Sequence, residues 1–212
     1  LKLADYMIAR WSAEPQRTTI GSLSNWANFF PEGLLLLHQH ADDPRYWDFL
    51  VKQRKLYEWD MPIILGPKPG HRAHVAGYFV GCRPQLMAYR VRPDDRLLES
   101  TRRAMAFLTG QDGMAIIGAT GIGEHWDDSQ ASHARFGETC ATAHLLWVLD
   151  EMLRLEGNSR YGDLMERTIF NALFAAQSPD GRRLRYFMPF QGPRAYYHRD
   201  DYCCPCNFRR IV

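Results

Sequence analysis

Cys203, Cys204 and Cys206 fall within four consecutive positions of "DYCCPCNFRR", residues 201–210, and only Cys82 and Cys140 occur elsewhere in the chain. Thiols this dense serve three kinds of chemistry: a redox pair, a metal site or an activated nucleophile. The redox reading takes Cys203-x-x-Cys206, with Pro205 before the second cysteine, as a thiol–disulfide oxidoreductase motif. Such motifs sit between a strand and a helix in a βαβ unit, and here the surrounding spacing is helical. Adjacent Cys203 and Cys204 would close a strained ring if they paired with each other.

The metal reading needs further ligands. "GETC" places Glu138 and Cys140 two residues apart at the start of a strongly helical stretch. Zinc accepts thiolate and carboxylate donors in a tetrahedral shell. Glu138, Cys140, Cys203 and Cys204 form one candidate set, and four cysteines, with Cys206 replacing Glu138, form the other. Spacing alone leaves both open. The bland alternatives are a first-turn acid for Glu138 and a small buried apolar side chain for Cys140. The nucleophile reading builds on the metal. A zinc-bound thiolate at a helix N-terminus is ionised at neutral pH and attacks an electrophilic carbon if a general acid stands opposite. Glu124, in "TGIGEHW", is the candidate acid, with a solvated loop carboxylate as the plain alternative.

Helices must position these groups. Apolar residues recur at spacings of three and four over 34–50, 86–108, 141–155 and 161–176. A degenerate repeat marks the corners: "HADDPRYWDFL", "VRPDDRLLEST" and "LEGNSRYGDLM". Each offers an N-cap (Asp43, Asp95, Ser159), then an Arg and an apolar residue, then an acid expected in the first turn (Asp48, Glu99, Asp163). The arginines, Arg45, Arg96 and Arg160, lie 51 and 64 residues apart. Stacked helical hairpins have this pattern. The expected fold is mainly α, a partial α/α toroid with short β segments in the loops, forming one domain over residues 1–212. Loops at 64–74, 116–140 and 178–207, rich in Gly, His and acids, interrupt the hairpins and are placed on one rim as functional loops.

A formal net charge of +2 gives no reason to expect a nucleic-acid partner. No apolar run is long enough to span a bilayer. Cysteine usage fits a reducing cytosol, with a periplasmic or secreted enzyme holding metal-masked thiols as the alternative. The chain opens at Leu1 and stops at "FRRIV", which reads as a piece of a longer protein.

"GETCATA" at 137–143 with "YCCPCNFRR" at 202–210 resembles glycoside hydrolase family 127, the β-L-arabinofuranosidases. The resemblance runs from near Glu32 to the C-terminus and is densest after Gly118. It implies an α/α toroid followed by β-sandwich domains that this chain does not contain. It also implies a retaining hydrolase with zinc as cofactor and a terminal β-L-arabinofuranoside or related plant-type glycan as substrate. Cys203 would be nucleophile and zinc ligand; Glu138, Cys140 and Cys204 would complete the shell. Glu124 would be the general acid/base, and His74, Glu166 and Tyr186 would bind substrate. Trp126, Tyr186, Phe187, Tyr196 and Tyr197 are candidates to line a sugar pocket. The chain departs from the family pattern in several places. Cys206 stands where Pro or Gly is usual, and Phe29 stands where a substrate histidine is expected. The 186–203 loop and the Glu124–Glu138 spacing are short, and "GEHWDD" is an unusual setting for the acid. A non-catalytic zinc-stapled scaffold binding carbohydrate or protein is the competing function. It requires the metal for folding and makes Glu124 dispensable.

Overall fold

The computed structural model describes residues 2–14, 30–58, 74–197 and 202–211. Phe29, most of the 64–74 loop and residues 198–201 lie outside these. The described residues form α1 (Lys2–Ala13), α2 (Phe30–Ala41), α3 (Pro44–Lys52), α4 (Val75–Val91), a 3-10 turn (Asp95–Leu97) and α5 (Glu99–Gly110). They continue with α6 (Thr139–Glu156), α7 (Ser159–Thr168), a π-helical segment (Ile169–Leu173), α8 (Phe174–Ala176) and α9 (Cys203–Ile211). Among them, β structure is confined to isolated bridges in the loops. The chain is mainly helical, as the apolar periodicity requires. No helix of the described residues is long and apolar enough to cross a membrane.

The corners repeat, one residue earlier than the sequence reading in two of three cases. Asp43 accepts from the Arg45 backbone N–H, Asp94 from that of Arg96, and Asn158 from that of Arg160. The N-caps are therefore Asp94 and Asn158, not Asp95 and Ser159. A cap must be extended and must reach the N–H two residues on, and in each corner that residue lies two before the arginine. Arg45 and Arg96 also fork onto their own capping carboxylates. Of the expected first-turn acids only Glu99 opens a helix; Asp48 and Asp163 lie beyond the first turn.

The chain divides into two compact units. The first comprises Leu1–Met61 and Val80–Thr101. Its core joins Leu34 and Leu35 of α2 to Tyr46, Trp47, Phe49 and Leu50 of α3, with Leu56, Ala88 and Leu97. These α3 residues all fall on one helical face, which explains why a nine-residue helix holds. The buried Gln85 amide donates to the Leu56 carbonyl and its oxygen accepts from Ser100 Oγ.

The second unit comprises Pro62–Phe79 and Arg102–Val212. Its spine is α6, whose residues 139–146 are all buried. Gly157, at φ 63°, closes α6 in the left-handed conformation that suits glycine. Helices α7 and α9 pack on α6. Leu146, Leu173 and Phe208 form the contact, backed by Met165, Ile169, Leu184 and Ile211. Trp126 is fully buried and meets Tyr78, Phe79 and Phe107 edge-on at 5.3–5.4 Å. It anchors the loop that carries Glu124 and cannot line a sugar pocket, contrary to the sequence expectation.

Candidate active site

Glu138 is the N-cap residue of α6, and Cys140 lies in the first turn. Cys203 and Cys204 open α9. Packing of α9 on α6 brings the two N-termini together, where partial positive charge favours anionic sulfur. The donor atoms of Glu138, Cys140, Cys203 and Cys204 all lie within 4.8 Å of one another. Cys140 Sγ is 3.1 Å from Cys203 Sγ and 3.4 Å from Cys204 Sγ. Cys206 is exposed and outside this set, so Glu138 rather than Cys206 is the group that converges with the three sulfurs.

The four acids of the cluster shift one another strongly. Hydrogen bonds from the Cys140 and Cys204 thiols hold Cys203 far below the ordinary thiol range, against its burial. Cys140 is pushed up by donating to Cys203 and Cys204 and by burial. Burial, with the charges of Glu124 and Cys203, pushes Glu138 up to about 8. Glu138 Oε2 is buried with no hydrogen-bond partner. A tetrahedral zinc with bonds of about 2.3 Å would set neighbouring sulfurs about 3.8 Å apart, roughly 0.4–0.7 Å wider than the present 3.4 and 3.1 Å. Donor types, number and spacing fit zinc.

Opposite Cys203 stands Glu124. Ile122 and His125 exchange both backbone hydrogen bonds across Gly123 and Glu124, at φ 57° and 73°. That is a mirror-image two-residue hairpin turn, with the acid at its tip. A non-glycine residue there carries strain of order 1–3 kcal/mol. The Glu124 carbonyl accepts from the Val75 N–H, which ties the tip to the start of α4. The Tyr186 hydroxyl donates to Glu124 Oε1 at 2.5 Å and lies 4.0 Å from Cys203 Sγ. Tyr186 packs against Phe187, Tyr197 and Tyr202.

His74 completes the group. Its Nδ1 accepts from the Gly77 N–H in the first turn of α4, which leaves the ring proton on Nε2. Nε2 sits 3.8 Å from Glu124 Oε2 and 3.9 Å from Glu138 Oε2. Burial lowers the His74 pKa, opposed by the Glu124 charge. The neutral ring thus offers a donor between the two carboxylates.

The structure brings together Glu124, Glu138, Cys140, Cys203, Cys204, Tyr186 and His74. Glu166 lies apart from these contacts, exposed on α7, whose buried side is formed by Leu164 and Thr168. Tyr196 packs over the Arg185 guanidinium at 4.4 Å and accepts from it. Two participants escaped the sequence reading. Tyr202 stacks on Tyr186 and donates to the Leu184 carbonyl. Asn207 Nδ2 donates to Cys140 Sγ at 3.2 Å. Its one signal was its place one helical turn after Cys203 and Cys204.

The model of the β-L-arabinofuranosidase GH127 catalytic domain matches residues 1–212. The chain belongs to the GH127 family. A curated relative, the non-reducing end β-L-arabinofuranosidase of Bifidobacterium longum subsp. longum, is 28% identical over 166 residues, which is 68% of this chain and 24% of the relative. The chain therefore spans about a quarter of the length of that curated relative. Solved structures share the fold. A GH127 β-arabinofuranosidase superposes with a TM-score of 0.69 at 20% identity, covering 85% of this chain and 31% of its own. A glycoside hydrolase gives 0.66 at 16%, covering 98% and 40%. The GH127 β-L-arabinofuranosidase of Geobacillus stearothermophilus T6 gives 0.58 at 19%, covering 77% and 31%.

Proposed function

We propose that this chain forms the catalytic centre of a retaining glycoside hydrolase that cleaves terminal β-L-arabinofuranosides or a related plant-type glycan. The observation that carries the reading is the Glu124–Tyr186–Cys203 arrangement beside the Glu138, Cys140, Cys203 and Cys204 donors. Contacts of 2.5 and 4.0 Å through the tyrosine oxygen limit the Glu124 carboxylate and the Cys203 sulfur to at most about 6.5 Å apart. Retaining glycosidases hold acid and nucleophile about 5–5.5 Å apart, whereas inverting ones leave about 6.5–9.5 Å for a water.

Glu138, Cys140, Cys203 and Cys204 would hold zinc, which supplies the positive charge that keeps sulfur ionised at neutral pH. Cys203 attacks the anomeric carbon while Glu124 gives its proton to the departing glycosidic oxygen. The C–O bond breaks and a C–S bond forms. Water then attacks the same carbon, Glu124 takes its proton, and the Cys203 sulfur leaves. Two displacements return the original configuration. Tyr186 and His74 steady the Glu124 carboxylate between the steps.

The test is the anomeric configuration of the first-formed sugar, followed by NMR during hydrolysis of an aryl β-L-arabinofuranoside, with bound zinc measured in the same preparation. A β product with stoichiometric zinc supports the reading. An α product, or full activity without metal, refutes it.

A further inference from the structure

The three sulfurs of the cluster differ in their partners. Cys203 is half-buried and faces the Tyr186 hydroxyl. Cys204 is fully buried. Cys140 is buried and receives a hydrogen bond from an amide that takes part in no step above: Asn207 Nδ2, at 3.2 Å. Asn207 is itself only 7% exposed. It lies on α9, four residues after Cys203, and reaches across to α6. Docking of α9 on α6 does not require this bond, because Phe208 and Leu146 already pack there.

We infer that Asn207 is a positioning residue of the metal centre, donating to Cys140 Sγ so that this sulfur stays a fixed ligand and Cys203 is left as the reactive one. This rests on the metal reading above. A primary amide buried against sulfur recovers part of its desolvation cost through that bond. An N–H donated to a thiolate is charge-assisted and fixes the direction of one lone pair. The sulfur so engaged is a poorer nucleophile. Cys203, half-buried, meets the Tyr186 hydroxyl at the longer distance of 4.0 Å, and that hydroxyl in turn donates to Glu124.

The experiment uses the intact protein, loaded with zinc or with cobalt(II), as wild type, Asn207→Leu and Asn207→Asp. Leu keeps the volume and Asp keeps the shape; neither donates an N–H. In both variants zinc affinity, read by chelator competition, should fall about 10- to 100-fold, the usual effect of removing a partner of a metal ligand. The sulfur-to-cobalt charge-transfer band should move to longer wavelength, because the sulfur orbitals lose the stabilising N–H. Helical circular dichroism of the metal-free forms should match wild type. If Leu fails to fold, the Asp variant is read in the same way. Wild-type affinity with an unmoved band in a folded variant overturns the role of Asn207 and leaves the metal reading standing. A wild type that binds no stoichiometric metal overturns both.

Discussion

The Tyr186 hydroxyl donates to Glu124 Oε1 across 2.5 Å although the two residues lie 62 positions apart. The tyrosine is aimed by stacking on Tyr202 and a tilted contact with Tyr197, and the glutamate by the hairpin turn at 123–124. Tyr186→Phe keeps the stack and removes the donor. A hydrogen bond to a charged group contributes about 1.5–3 kcal/mol. The expected result is a drop in kcat/KM of roughly 10- to 100-fold on an aryl β-L-arabinofuranoside, with the thermal midpoint nearly unchanged.

Glu124→Gln removes the proposed proton donor and leaves the four candidate metal ligands intact. General acid–base groups contribute about 10²–10⁴-fold, and a loss in that range should appear with an aryl substrate. Bound zinc should stay at wild-type stoichiometry. A dinitrophenyl leaving group, which departs without protonation, should restore the first displacement as a burst. Equal losses on both substrates would remove Glu124 from the acid role.

Cys203→Ser and Cys206→Ser should separate cleanly. The first removes the proposed nucleophile and should abolish measurable turnover. The second alters an exposed residue outside the cluster and should leave kcat within about twofold. Equal losses in the two variants would favour a Cys203–Cys206 redox pair.

Gly121→Ala should destabilise the protein by about 1–3 kcal/mol through its left-handed backbone alone. The added methyl also meets the His125 carbonyl at 2.7 Å and Val75 Cγ2 at 2.9 Å, at φ 83°. Calorimetry should register a lowered midpoint, and activity should fall further than stability does, since the displaced segment carries the Glu124 turn. A midpoint equal to wild type would mean that the hairpin is held elsewhere.

Asp43 and Asp94 have pKa values below the ordinary 3.8, first through side-chain hydrogen bonds from Arg45 and Arg96. A lowered folded-state pKa contributes stability that is present above the unfolded value and lost as pH falls through the folded one. The double variant Asp43→Asn, Asp94→Asn keeps amide caps and loses the charge. Its thermal midpoint should fall less steeply than wild type as pH drops below about 4. Parallel curves would show that these pairs carry no acid sensitivity.

The candidate donors were legible in part: cysteine is rare here, but spacing left Cys206 as an alternative to Glu138 until α9 was packed on α6. The helices from α2 to α7 were legible from apolar periodicity, and α1, whose one buried residue is Ala4, was not. The corners were legible to within one residue, because runs such as "DD" and "NS" offer two adjacent caps and only backbone geometry chooses between them. Trp126 was misread as a pocket wall. Its burial depends on Tyr78, Phe79 and Phe107, which local pattern does not associate with it. Asn207 was missed because an asparagine after a cysteine pair looks like any helix-surface polar residue until α6 is placed against α9. The turn at Glu124 was hidden by its chemistry, since glutamate is a poor choice for a left-handed position.

The Asx-x-Arg corner occurs at 43–45, 94–96 and 158–160, twice with aspartate and once with asparagine. Three unlike hairpins therefore share one fastener, specified by three residues and indifferent to the helices it joins. Such a part is interchangeable: copying a hairpin within an ancestral gene would carry its own joint along, leaving the joined loops free to diverge. The loop at 111–138 joins α5 to α6, from one such hairpin to the next, and there the chain holds its acid in a strained turn instead.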